Sequence, residues 1–130
     1  SNLCFIEIKT HATELLESKP YRSGCFAPSK ELAGAIAHVQ GTVASAIENL
    51  SSRINLSDSD GNPTGEEILN YQPKFYSIIG SMGEFVSEHD VKKDKLRSFE
   101  LLRKNTSNPE IITFDELYER AKFIVQHNKS

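Results

Sequence analysis

The sequence predicts an α/β domain in which helices pack on a mixed sheet. One observation is a strictly alternating run, Leu3 to Thr10, that gives way to a long stretch of helical periodicity. A second is that the exchange repeats: the compact apolar run Phe75 to Ile79, a helical stretch, a short strand and a last helix. Strand and helix in turn favour a layered α/β domain. The third is size and composition. With 130 residues, 38% apolar and 25% charged, the chain can bury a core without disulfides or structural metal.

Ser1-Asn2 reads as an expression scar, and Leu3 falls straight into a strand. Natural domains rarely begin inside a strand, so an N-terminally truncated domain spanning 3–128 is expected. Within the first strand Cys4, Ile6 and Ile8 form a wholly apolar face, while Leu3, Phe5, Glu7 and Lys9 form a face that turns polar. Such a strand looks too apolar for a surface edge. His11 to Pro28 is a connection, with room for a helical turn or two at Ala12 to Ser18; Pro20, Gly24 and Pro28 exclude a long helix.

Ser29 is a good N-cap for a helix reaching about Leu50. Its apolar stripe is Leu32, Ile36, Val39, Val43, Ile47 and Leu50. Beside it Ala33, Gly34, Ala37, Gly41 and Ala44 would let the helix lie close to a sheet. Asn55 to Gly65 reads as a polar loop, with a short helical turn possible at Glu66 to Leu69. Lys74 to Gly80 has the character of a strand covered on both sides. A helix over Glu88 to Lys104, with Val91, Phe99 and Leu102 inward, precedes a short strand, Glu110 to Thr113. The last helix runs from Phe114 to about His127, with Thr113 and Glu116 at capping-box spacing. A complete domain would need more strands than these three.

The formal charge of −3 argues against a general polyanion binder, although a locally positive cleft is compatible with it. No apolar run approaches the roughly 18 to 20 residues that cross a bilayer. The first residues lack the layout of a secretory signal, and Cys4 and Cys25 are expected as free thiols in a reducing cytoplasm.

The sharpest chemical feature is Glu7-Ile8-Lys9. Period two puts both charged side chains on one face, their origins roughly 6 to 7 Å apart. A carboxylate there can hold a divalent cation, and the ammonium can stabilise charge developing on a phosphate. By themselves these three residues fit a solvated ion pair better. Gln40, on the flank of the helical stripe, either faces water or turns its amide toward the sheet. Asp58 to Asn62 begins like a calcium loop, but Pro63 and Leu69 fall where Gly and Glu are required. Asp115-Glu116 sits in a first helical turn and reads as structural. The four histidines, His11, His38, His89 and His127, share no ligand spacing, and the cluster Lys92, Lys93, Lys95, Arg97, Arg103 and Lys104 reads as a solvated helix face.

Taken together, several blocks resemble the C-terminal nuclease domain of the Shedu family of bacterial anti-phage defence proteins. They are Phe5-Ile6-Glu7-Ile8-Lys9, Tyr21-Arg22-Ser23-Gly24, and Pro28-Ser29-Lys30-Glu31-Leu32-Ala33-Gly34-Ala35-Ile36 with Gln40. Ile78-Ile79-Gly80, Arg97 to Arg103 and Glu110 to Leu117 follow in family order, so the likeness spans nearly the whole chain. It implies a restriction-endonuclease-like, PD-(D/E)xK fold and a DNA endonuclease that uses Mg²⁺ or Mn²⁺. Glu7 would be a metal ligand with the Ile8 carbonyl nearby, Lys9 the catalytic lysine, and Gln40 the motif glutamine of the following helix. The family's further Asp and Glu ligands would lie upstream of Leu3, so this stretch alone is expected to be inactive. Two positions depart from the resemblance: Ala44 stands where related nucleases often place Tyr, and Ser81 where members of the family tend to have Arg. A homo-oligomer is implied as well, and a bare sheet edge would favour one. The rivals are a PD-(D/E)xK nuclease of repair or restriction, and a scaffold module that keeps the fold without the chemistry.

Overall fold

The structure is a computed structural model, and it describes residues 4–51, 55–57, 63–67 and 74–128. The element order is β1 (Cys4–Ile8), α1 (Lys30–Ser51), β2 (Asn55–Ser57), β3 (Pro63–Glu67), β4 (Lys74–Ile78), α2 (Lys93–Asn105), β5 (Glu110–Ile112) and α3 (Phe114–His127). β1, β4 and β5 form a three-stranded sheet in the order β1-β4-β5, every pair parallel. The antiparallel component of the expected mixed sheet is a separate pair, β2 with β3. The α/β class stands, and the main sheet is purely parallel.

β4 is central, as its apolar run predicts, with Phe75, Ser77 and Ile78 buried and Ile79 buried just beyond its end. β1 lies at an edge, contrary to the expectation from its apolar content. Its faces also reverse the simplest reading: Cys4, Ile6 and Ile8 are exposed, whereas Phe5, Glu7 and Lys9 are half-buried. The cause is α1, which lies over the Phe5–Glu7 side. There Phe5 stacks on Phe75, its register partner, with ring centroids 4.9 Å apart.

The core gathers at the carboxyl end of the sheet. Leu15, Leu16, Leu32, Ala35, Ile79, Phe85, Phe99 and Ile111 pack together there, drawn from the connection before α1, from α1, from the segment after β4, from α2 and from β5. Ala12 to Ser18 forms no helix. Leu15 and Leu16 plunge into the core, and their N–H groups donate to the two carboxylate oxygens of Glu84 at 2.6 and 3.1 Å. That carboxylate replaces the partners a helix would have supplied.

Ser29 caps α1 through Leu32 N–H at 3.0 Å and is held in turn by its own hydroxyl bond to the Glu14 carbonyl. The stripe is buried at Leu32 and Val39 but has emerged into solvent by Ile47. Gly34 and Gly41 face open space, so they do not mediate close packing on the sheet. α2 begins at Lys93, five residues later than expected, because Ser87 N–H donates to the Asp90 carbonyl and Lys92 N–H to that of Phe85, folding the segment into a turn. Val91 is consequently exposed, while Phe99 is fully buried. β2 and β3 occupy the stretch read as a polar loop, and Glu66 and Glu67 lie in a strand rather than a helical turn; Ile68 and Leu69 lie outside the described residues. α3 carries the full capping box expected of Thr113 and Glu116.

Candidate active site

Strand geometry projects Glu7 and Lys9 from one face of β1, and the ladder fixes both at their roots. Glu7 is in register with Ser77, and Lys9 N–H donates to the Ile78 carbonyl at 2.9 Å, extending the pairing past the strand's end. Their side chains meet as the alternation requires, with Lys9 Nζ 3.9 Å from Glu7 Oε1. Lys9 Nζ also lies 4.0 Å from Glu31 Oε2, at the start of α1. Neither approach is a close hydrogen bond, and the lysine side chain stays 38% exposed, so the ammonium is shared loosely between two carboxylates and remains free to engage an anion.

The other oxygen of Glu7 has a different neighbourhood. Oε2 is buried and lacks a hydrogen-bond partner. His38 Nδ1 stands 3.3 Å away, close enough for an ion pair but without hydrogen-bond alignment. Ser77 is fully buried, and its Oγ is likewise unpartnered. Residues in register on parallel strands point to the same side, so the Ser77 hydroxyl and the Glu7 carboxylate share the face beneath α1. A groove of about 220 Å³ opens there, walled by Phe5, Glu7, His38, Val39, Thr42 and Phe75.

α1 runs back across the sheet from Glu31, beside Lys9, to His38 and Thr42, beside Glu7 and Phe5. Two helical residues differ by about 200° in direction. His38 and Gln40 therefore serve opposite flanks of α1. Gln40 Nε2 donates to the Asn108 carbonyl at 3.1 Å, just ahead of β5, and is not brought against Glu7 or Lys9. Of the sequence candidates, the structure unites Glu7 with Lys9 and ties Gln40 to the segment ahead of β5. His38, Glu31 and Ser77 were not singled out from the sequence. A signal existed for two of them: Glu31 and His38 are seven residues apart, two turns along one helix face.

As a seat for a divalent cation the arrangement is half of one. Glu7 supplies a hard oxygen donor with an orphaned buried atom, which fits Mg²⁺ or Mn²⁺. Among the described residues no group of three His, Cys, Asp or Glu side chains is placed to hold a metal ion.

The remaining charged cluster is structural. Arg103 makes a bidentate pair with Glu116, at 2.6 and 3.0 Å, and also bonds Glu100, so it does not belong to a solvated basic face. Burial pushes the Glu116 carboxyl up, but bonds from Arg103 and Thr113 outweigh it and hold the group below its usual range. Asp115 behaves alike: burial raises it, while bonds from Thr113, Met82 and Ser81 bring it down. Both were expected to be structural, and they are. His11 only sets its ring edge against Phe114, 6.3 Å between centroids.

Residues 1–118 match the family model described as "Shedu protein SduA, C-terminal". The chain is also 31% identical over 122 residues to the Shedu protein SduA of Bacillus cereus strain B4264. That alignment covers 93% of this chain and 30% of the relative, so the chain spans less than a third of the protein it matches. Coverage of nearly the whole chain by both comparisons places it in one family: it belongs to the Shedu proteins, in the C-terminal region of SduA.

Proposed function

We propose that this chain carries the Glu-x-Lys portion of a restriction-endonuclease-like active site that cleaves DNA in bacterial anti-phage defence. The observation that carries the reading is the union of Glu7 and Lys9 on one face of β1, with Glu7 also lining an open groove and keeping one buried oxygen without a hydrogen-bond partner. Membership of the Shedu family supplies the defence context.

Glu7 would hold the cation, together with donors from outside the described residues. Bound there, Mg²⁺ or Mn²⁺ supplies Lewis acidity toward a phosphate oxygen and lowers the pKa of a bound water. Lys9, tethered by the backbone of β4 and steered by Glu31, presents its ammonium to the charge that builds on the phosphate. Phe5, Val39 and Phe75 give the groove an apolar floor that strengthens those interactions. Gln40 acts as a positioning residue, tying α1 to the segment before β5.

The test compares DNA cleavage by the full-length protein with its Glu7→Ala and Lys9→Ala variants in Mg²⁺ and in Mn²⁺. Each substitution should lower the rate by about 10²-fold or more, the usual loss when a charge-stabilising group is removed. Parent-like cleavage by both variants sinks the site assignment.

A further inference from the structure

We propose that Glu7 Oε2 and His38 Nδ1 together form a mixed oxygen and nitrogen seat for the cation. Because one of those two ligands is an imidazole nitrogen, the site prefers Mn²⁺ to Mg²⁺. This deepens the reading just given and rests on Glu7 being a metal ligand.

Buried carboxylate oxygens and hydroxyls are rarely left unpaired, because each then forfeits its hydration without return. Here two such atoms share one face of adjacent strands, Glu7 Oε2 on β1 and Ser77 Oγ on β4. Lys9 does not relieve the first, since it sits on the opposite oxygen, Oε1. His38 approaches Oε2 to 3.3 Å but is not aligned as a donor to it. Two ligands in neighbouring positions around an octahedral cation at about 2.1 Å lie roughly 3 Å apart, close to that separation. The imidazole is 73% exposed, so it stands at the groove's rim with an open path from solvent and freedom to close the remaining gap.

Ligand chemistry then sets the preference. Mg²⁺ demands oxygen and dehydrates reluctantly, whereas first-row transition cations accept imidazole readily. A seat made of carboxylate alone would discriminate little between Mg²⁺ and Mn²⁺. One with a neighbouring imidazole favours Mn²⁺.

The experiment uses the full-length protein with Mn²⁺ as the probe. Pulsed electron paramagnetic resonance reads nitrogen hyperfine coupling to the bound ion, and calorimetry reads Mn²⁺ and Mg²⁺ affinities for the parent and for His38→Ala, His38→Asp and Glu7→Ala. The parent should show imidazole nitrogen coupling, and His38→Ala should lose it. His38→Ala should bind Mn²⁺ about tenfold or more weakly while Mg²⁺ affinity changes far less. His38→Asp should restore affinity without the nitrogen signal, which a merely structural role for His38 would not produce. If Mn²⁺ binds the parent without nitrogen coupling and Glu7→Ala abolishes that binding, the histidine proposal fails and the metal-holding role of Glu7 survives. If Glu7→Ala binds Mn²⁺ as the parent does, the role of Glu7 itself fails and takes this inference with it.

Discussion

Gly80→Ala probes the joint that holds the candidate site to the core. Gly80 follows β4 with φ of +66°, in the left-handed region. Its N–H donates to the Thr10 carbonyl at 3.0 Å, and its carbonyl accepts from Phe114 N–H at 2.9 Å. It therefore clips the chain just beyond Lys9 to the start of α3. A Cβ at this position would stand 2.7 Å from Leu15 Cδ2 and 2.8 Å from the Thr13 carbonyl oxygen. The conformation alone costs an alanine about 1–2 kcal/mol, and relieving overlap in a packed interior costs about 1–3 kcal/mol more. Urea unfolding should therefore show a loss of about 2–5 kcal/mol, read as a lower midpoint at unchanged slope. Trimming the obstruction with Leu15→Ala in the same background should recover only part of the overlap energy, because the Thr13 carbonyl is backbone and stays in place. The double-mutant cycle isolates that recovery from the cavity Leu15→Ala creates. A loss below about 1 kcal/mol for Gly80→Ala would refute both the strain and the overlap assigned here.

Arg103→Met should lower stability by about 2–3 kcal/mol in thermal or denaturant unfolding, since it leaves the half-buried Glu116 carboxylate without its bidentate partner and frees the Ile111 carbonyl. Acid should act on the same network. Glu116 and Asp115 titrate below their ordinary 4.5 and 3.8 in the folded chain, so their contribution is complete above those values and is lost as the pH falls through the lower, folded ones. The melting temperature should drop below about pH 4, and Glu116→Gln should blunt the drop. Gln40→Ala removes one exposed bond to Asn108 and should leave Mn²⁺ affinity unchanged, with stability lowered by about 0.5–1 kcal/mol at most.

Strongly periodic segments with explicit ends were legible in the sequence. α1 starts where Ser29 caps it, α3 starts at its Thr113–Glu116 box, and β4 sits centrally, as its apolar run demands. β2 and β3 were not, because Asn55-Leu56-Ser57 and Pro63 to Glu67 have no alternation to read and are held by pairing with each other. The connection through Leu15 and Leu16 left room for a helical turn or two, since its local spacing allows one. Only the distant Glu84 carboxylate, some seventy residues along the chain, decides otherwise. Period two also told which residues of β1 share a face, but not which face α1 would cover.

The same distinction explains the candidate site. Glu7 and Lys9 were visible because two positions along a strand suffice to unite them, whatever surrounds the strand. That His38 and Ser77 lie on the Glu7 side was not legible, because each is set there only by tertiary placement, one across a helix–sheet contact and the other across the ladder; the spacing of His38 from Glu31 shows a shared helix face but not what that face covers. Gln40 drew attention for its position beside the apolar stripe, yet two residues of helix turn its amide away from the groove wall that His38 occupies. The anchoring of these elements gives the reading its force. Lys9 is pinned by Ile78 of the central strand, and α1 is pinned by Ser29 to the Glu14 carbonyl, so the carboxylate, ammonium and imidazole project from two secured backbones rather than from a loop. A buried carboxylate oxygen without a hydrogen-bond partner on so fixed a frame costs stability, and that cost is what the proposed cation would offset.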